Sequence, residues 1–458
     1  MAANPLDALV RHVATTVYDD LPPAVVAAAK TFILDTFTCG IAGSSGPGTD
    51  RILAAAQSWG DGDAATAWGH GKRLPAPSAA LLNAYQVHCL EFDCVHEGSV
   101  LHPMTAMLPA AIAEAQRQSR AGRRISGRDL IAAVAVGVDV VCNIGLSAKG
   151  AMRFFRTGSI GGFGATAVAA KLRGFSAEYI AAALGIMYGQ TSGTMQTHVE
   201  GSPLLGVQVG FNARGALCAV DLAAAEIDGP RNIITGPWGY LPLFEGEHTI
   251  DATWASWGKT WRLLEMGHKP FPSGRPTHYV IEALQELQAE LRFTASDVAG
   301  VHVRLPPLSY AVVGRPDIPA PNPTYAKLCV PFICATVLRR GGLATSDFAP
   351  EALIDPETHR IAARVTVEED KAGDATAFGP QTVTVTLNDG RSGRREIAFA
   401  IGDPRHPLPR AKQLEKFWWA WESAAVPPPR AAGERFLAQI DALETLPDVT
   451  VLVDTMTV

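Results

Sequence analysis

Apolar residues recur every three to four positions through most of the first 260 residues, the period of helices that bury one face. Leu21-Pro22-Pro23 opens the first clear run, because proline suits a first helical turn, and the pattern continues over 25–41. Runs of the same kind cover 78–90, 106–118, 127–145, 161–172, 177–190 and 210–227. Ser126 and Ser176 stand where N-caps are useful, and Gly145 and Gly174 where helices can stop. Alanine and glycine occupy more than one face of several runs, which predicts close helix–helix packing in a large core.

The period changes near Gly267. Pro270, Pro272 and Pro276 exclude a helix interior and predict an ordered irregular segment, followed by a helix over 278–291. Alternation with a period of two then appears at Val301 and Val303, at Val365 and Val367, and at Val383, Val385 and Leu387. Asn388-Asp389-Gly390 is a tight-turn signal ahead of 395–401, so those last two segments predict a hairpin. A helical run over 330–340 lies between the strands, and the whole reads as a smaller α+β domain. Beyond Asp403-Pro404 helical spacing returns over 414–421 and 433–444. The fold class expected is mainly α with a smaller α+β domain.

Composition narrows the function. A length of 458 residues suits two to three domains, or one large domain with an appendage. Lys+Arg total 39 against 45 Asp+Glu, a net charge of −6, which offers no electrostatic footprint for nucleic acid. A hydrophobic share of 47% excludes a mostly disordered chain. Residues 1–10 lack the basic-then-apolar order of a secretory signal, and the most apolar stretch, 130–141, contains Asp139 and reads as a buried core helix. No membrane partner and a cytoplasmic location are expected. The seven cysteines are scattered without a CxxC pair, so neither a zinc ribbon nor a disulfide framework is indicated.

Three polar clusters interrupt the apolar pattern. The first holds His88, Glu91, Asp93, His96, Glu97 and His102 within 15 residues. It admits metal ligation, although the HExxH spacing is missing, a metal-free acid/base site, or a helix end whose polar groups serve as caps. An Asp beside a His works without metal by fixing the tautomer and raising the basicity of the ring. The second, Gly158 to Gly164, matches neither dinucleotide nor phosphate-loop spacing and has no preceding strand. A tightly packed or carboxylate-facing helix start is the favoured reading. The third runs from His268 through Lys269 and Arg275 to His278 on a proline-stiffened segment. It reads either as an anion clamp or as a set of salt-bridge partners.

Taken in order, Ala-Ala-Ala-Lys30…Leu34-Asp35, Leu82-Asn83…His88…Phe92-Asp93, His102-Pro103, Gly161…Phe163-Gly164-Ala165, Glu200-Gly201-Ser202, Lys269-Pro270-Phe271-Pro272…His278 and Gly402-Asp403-Pro404 resemble the MmgE/PrpD family along nearly the whole chain. That family includes 2-methylcitrate dehydratase, cis-aconitate decarboxylase and iminodisuccinate epimerase. The resemblance implies an all-helical domain built from both chain ends (1–267 and 403–458), an inserted α+β lid (268–402), a homodimer, and cofactor-free chemistry without a metal on small di- or tricarboxylates. Residue by residue, Asp93 matches the family's active-site aspartate and His102 a proposed acid/base histidine. Lys269 and His278 match the lysine and histidine of a KPYP-like motif. Three positions depart: Phe155 stands for a usual histidine, Leu205 for a usual lysine and Phe332 for a usual tyrosine. Arg156, one residue from the first departure, could restore a cation elsewhere.

These readings predict a lyase or isomerase that abstracts a proton next to a carboxylate, with dehydration, epimerisation or decarboxylation as outcomes. Asp93, His102, Lys269 and His278 are the expected catalytic residues, and Arg275, Arg156, Ser202 and Gln208 are expected to bind substrate. The alternative is a catalytically altered relative that binds small acids or serves as a complex subunit.

Overall fold

The computed structural model describes residues 4–250 and 253–456; Met1, Ala2 and Ala3, at the start of the N-terminal stretch read above, lie outside the described residues. The chain is 56% helical with small mixed sheets. Helices span Pro23–Gly43, Ala76–His88, Met104–Arg120, Gly127–Leu146, Arg156–Arg173, Ala177–Tyr188 and Leu204–Ala224. Several extend the predicted runs by a turn, because capping and packing set ends that apolar spacing leaves open. Ser126 caps its helix through a reciprocal box with Asp129, Ser176 accepts from the Tyr179 amide, and Gly174 terminates a helix in the left-handed region at φ 79°. Gly145 lies inside its helix, which runs on to Leu146.

The glycines of the second cluster serve close packing. A Cβ on Gly164 would lie 2.5 Å from Val141 Cγ1, and one on Gly162 would lie 2.3 Å from Met187 Cε. Gly161, Gly162 and Gly164 occupy the body of the Arg156–Arg173 helix, and Gly158 lies in its first turn, its amide donating to the Phe155 carbonyl.

A four-stranded sheet has the order 365–369, 298–305, 381–387, 392–397. Its first pair is parallel and the others are antiparallel. The hairpin turns at Asn388-Asp389-Gly390, where Gly390 takes a φ of 87°. The returning strand starts earlier and stops earlier than its alternation suggested, at Ser392–Ile397. The carbonyls of Ala400 and Ile401 accept from the Arg275 guanidinium instead of from a neighbouring strand. A two-stranded ribbon, Ala65–Ala67 with Lys72–Leu74, was invisible to period analysis because three-residue strands carry too few positions.

The buried apolar residues form two clusters. One draws on positions 6–266 and 417–456, and the other on positions 279–400 together with Leu205. The C-terminal helices Arg410–Glu422 and Arg430–Asp441 pack on Pro23–Gly43. Lys416 ties this contact together by donating to Asp35 Oδ1 at 2.7 Å and to the Phe92 carbonyl at 2.7 Å. Among the described residues two helices, Pro23–Gly43 and Gly127–Leu146, are long and apolar enough to cross a membrane, but 67% and 89% of their apolar windows are buried against the rest of the protein.

Candidate active site

The Ala76–His88 helix ends at the cluster that sequence reading singled out, and the backbone there is forced. Glu91 adopts φ 53° and Val100 φ 54°, left-handed conformations that are costly for residues with a Cβ and most costly for a branched one. Both residues line the same cavity. Pro103 starts the next helix and keeps His102 out of it, at the rim of the helical scaffold.

Asp93 is the hub. Its Oδ2 accepts from Nδ1 of His88 at 3.1 Å and from Thr105 Oγ1 at 2.6 Å, and lies 3.1 Å from Nδ1 of His102. His102 Nδ1 also lies 2.9 Å from the Cys94 carbonyl. Two acceptors on one nitrogen require the proton there, so neutral His102 keeps its Nε2 lone pair for proton transfer. His88 differs. Its Nε2 stands 3.3 Å from Glu91 Oε1, so both ring nitrogens face carboxylates. Burial opposes a charge on His88, but Asp93 and Glu91 outweigh it and hold the pKa above the ordinary value. Burial likewise opposes ionisation of Asp93, yet the two imidazoles keep it well below the usual carboxylate range. The arrangement sets two histidines on one carboxylate, His88 with its charged form favoured by its neighbours and His102 with Nε2 left for proton transfer.

Lys269 is fully buried and donates to Glu91 Oε2 at 2.9 Å. Glu91 is held down at about 2, with burial opposed first by Lys269 and then by His88 and His102. Two adjoining chambers share Glu91 and Leu205 as walls. The outer chamber, about 320 Å³, lies between Pro47–Arg51, the end of the Ala76–His88 helix and the segment from Asn322 to Lys327. The inner one, about 70 Å³, is lined by His102, Thr157, His198, Phe155 and Leu328 among others. A larger hollow of about 480 Å³ lies across the Pro270–Pro272 segment, but both ammonium groups in its wall are engaged, Lys416 by Asp35 and the carbonyls of Phe92 and Lys269, and Lys412 by Glu415 at 2.8 Å.

The remaining expected residues are placed differently from one another. Arg275 donates to Glu97 Oε1 at 2.5 Å and to the carbonyls of Ile401 and Ala400, so its guanidinium is consumed within the protein although its stem reaches the inner chamber. Arg156 is buried and paired with Glu245 at 3.0 Å. Both guanidinium groups are thus held by partners within the protein. His278 lines neither chamber. Its Nε2 lies 3.3 Å from the Ser273 carbonyl, and burial, with Arg275 and Lys269 beside it, holds its pKa well below the ordinary value. Ser202 sits between two outer-chamber residues, Gly201 and Pro203, and its hydroxyl accepts from the Leu204 amide. Gln208 bonds the Thr194 amide at 2.6 Å and Thr197 Oγ1 at 3.0 Å, fixing the short helix that carries His198. Phe155 packs 5.7 Å from the His88 ring and Leu205 separates the chambers, whereas Phe332 is core packing against Phe348.

Sequence reading missed Glu91's role, Lys327, His198 and Arg315. Lys327 is 2% exposed and donates to the Cys89 carbonyl at 2.8 Å, with no carboxylate in ion-pair range among the described residues. Its position just before Cys329-Val330-Pro331-Phe332 was the signal available. Arg315 donates to His198 Nδ1 at 3.0 Å, and nothing in the sequence joins two residues 117 apart. His88, Asp93 and His102 also offer ligand atoms within 4.8 Å of one another, a set that could hold a metal ion. Both Nδ1 atoms nevertheless approach one carboxylate oxygen that already accepts from Thr105, the geometry of a hydrogen-bonded hub rather than of a shared coordination centre.

Residues 7–253 match the MmgE/PrpD N-terminal domain and residues 271–432 the MmgE/PrpD C-terminal domain. A cis-aconitate decarboxylase of Aspergillus terreus is 27% identical over 87% of this chain and 85% of its own length. The cis-aconitate decarboxylases of Mus musculus and Homo sapiens are 24% and 25% identical, covering 94% and 87% of this chain and 89% and 83% of their own lengths.

Proposed function

The chain belongs to the MmgE/PrpD family, and we propose that it is a cofactor-free lyase that decarboxylates a small polycarboxylic acid in the two-chambered cleft. The observation that carries this reading is Asp93 held between His88 and His102, with the buried Lys327 ammonium lacking a carboxylate partner in the adjoining wall. The names of the relatives support the reaction class.

In this reading a substrate carboxylate is received by Lys327, a point charge already stripped of water. The bond from the reacting carbon to the departing carboxylate breaks and carbon dioxide leaves. The electron pair stays on carbon, delocalised into the adjacent unsaturated or carboxylate group. His102, as the imidazolium, gives its Nε2 proton to that carbon and regains one from water, while Asp93 stabilises the charged ring. Lys269 acts through Glu91, holding its carboxylate beside His88. The division into a helical body (1–267 and 403–458) and a lid (268–402), and assembly as a homodimer, complete the proposal.

Turnover of a panel of unsaturated di- and tricarboxylic acids in heavy water tests it. Carbon dioxide release with one deuterium placed on the product carbon is the expected result. Exchange of substrate hydrogen without carbon dioxide would instead favour epimerisation or dehydration. Thermal stabilisation by an acid that is never turned over would favour the small-acid binder that Phe155 and Leu205 leave open.

A further inference from the structure

The two chambers differ in what they can receive. The outer one holds two cations without counter-ions among the described residues: Lys327, and Arg51 at the mouth, which has neither ion pair nor hydrogen bond there. The inner one is walled chiefly by Met152, Phe155, Met195, Leu205 and Val312. Its charges are already matched, Arg275 by Glu97 and Glu91 by Lys269. His198 is neutral there, since burial and then the Arg315 guanidinium hold it down at about 4. A carboxylate pushed into this chamber would lose its water and meet no lysine or arginine that lacks a counter-ion, while the His102 ring there is already paired with Asp93. An alkyl group of a few carbons would meet van der Waals partners on most sides.

Resting on the reading of the site given above, we propose that the substrate is a small dicarboxylate with an uncharged alkyl or alkenyl arm. Its carboxylates lie in the outer chamber on Lys327 and Arg51, and its arm fills the inner chamber against Phe155 and Leu205. The reacting carbon then sits at the junction by Glu91, with His102 reaching it from the inner side. Leu205, the wall between the chambers, is the residue that sets the preference.

The test uses two acids that share a succinate core and differ in the arm on its double bond: 2-propylidenesuccinate, whose alkyl arm is uncharged, and cis-aconitate, whose arm ends in a third carboxylate. Binding is measured by calorimetry and turnover by carbon dioxide release, on the full chain. The alkyl acid should bind at least about tenfold more tightly, at the lower end of what an apolar pocket discriminates. Leu205→Lys, which puts a cation into the wall, should narrow or reverse that order. If Leu205→Lys lacks a cooperative melting transition, Phe155→His in the same chamber takes its place with the same expectation. Tighter binding and faster turnover of cis-aconitate by the unaltered protein would overturn the proposal while leaving the decarboxylase reading intact. Binding of neither acid would overturn it too. Preference for the alkyl acid without carbon dioxide from either would uphold the arm and remove the decarboxylase reading.

Discussion

The Lys269 ammonium donates to Glu91 Oε2 at 2.9 Å, a buried ion pair between residues 178 apart in the chain that clamps the proline-stiffened segment onto the strained turn after the Ala76–His88 helix. Removing one partner leaves the other charged in a dry place, which costs more than the pair contributes net. Glu91→Gln and Lys269→Met should therefore each destabilise the fold by about 3–5 kcal/mol. The double variant should lose clearly less than the two together. Urea unfolding of the three variants measures this, and singles that cost under about 1 kcal/mol would mean that the pair is solvated.

The same cluster fixes how stability depends on pH. Glu91 is held down at about 2, against an ordinary value of 4.5, and Asp93 lies well below its own range. The unfolded chain therefore takes up protons that the folded chain refuses, and stability falls as pH drops from about 4.5 toward 2. Glu91 alone carries on the order of 3 kcal/mol of that loss. His88 runs the other way. Its folded pKa is raised above 6.5, so its contribution is complete below that value and is lost as pH rises through the raised one. Unfolding curves at about pH 3 and 5.5 should show the acid loss, to which the buried His198 and His278, held down in the folded chain, add as pH falls. In Glu91→Gln the acid limb should flatten.

Much of this was legible in the chain and some of it could not have been. Helical period, caps and the turn glycine at Gly390 act over a few residues, so the mainly helical architecture and the hairpin could be read directly. The clustering of His88, Asp93 and His102 was legible because one turn and one loop separate them. Partners were not. Arg275 looks like an anion clamp beside Lys269, and only the folded chain brings Glu97, Ala400 and Ile401 to its guanidinium. Lys327 offered only its place before Cys329-Val330-Pro331-Phe332, and His198 no comparable signal; the fold, not the sequence, brings them to the cleft. Glu91 took its meaning from a left-handed backbone that no propensity predicts.

Cys94 adjoins the hub, and a nucleophilic role for it would need a thiolate. It is buried, and burial, followed by the nearby Asp35 and Asp93 carboxylates, raises its pKa well above the ordinary value. Cys94→Ser should keep carbon dioxide release within about threefold of the parent, since only a thiol that reacts as the thiolate would be missed. Abolished turnover in a variant with a normal melting temperature would reopen covalent catalysis.

Dialysis against a strong chelator addresses the three-residue set around Asp93. With both imidazole Nδ1 atoms directed at a carboxylate that also accepts from Thr105, activity and melting temperature should be unchanged by the chelator. A loss reversed by adding one divalent metal would replace the hydrogen-bonded hub with a metal centre.

His102 and His88 share Asp93 but should answer differently to substitution. The His102 side chain is 12% exposed and lines the inner chamber, while that of His88 is 2% exposed and stands between two carboxylates. In His102→Asn the proton carrier is gone, and kcat should fall by about a hundred- to ten-thousand-fold, the usual range for a general acid or base. Substrate affinity should move little, because Lys327 and Arg51 still face the outer chamber. The melting temperature should also move little, because the lost hydrogen bonds come from a partly exposed ring. His88→Asn removes the charge that offsets Asp93 and Glu91, so it should cost stability first, with a shift of the pH optimum in whatever activity survives. Calorimetric binding, single-turnover rates and thermal melts on both variants separate the two roles. A stable His88→Asn protein without activity, beside a His102→Asn protein that turns over normally, would exchange the assignments and make His88 the group that moves the proton.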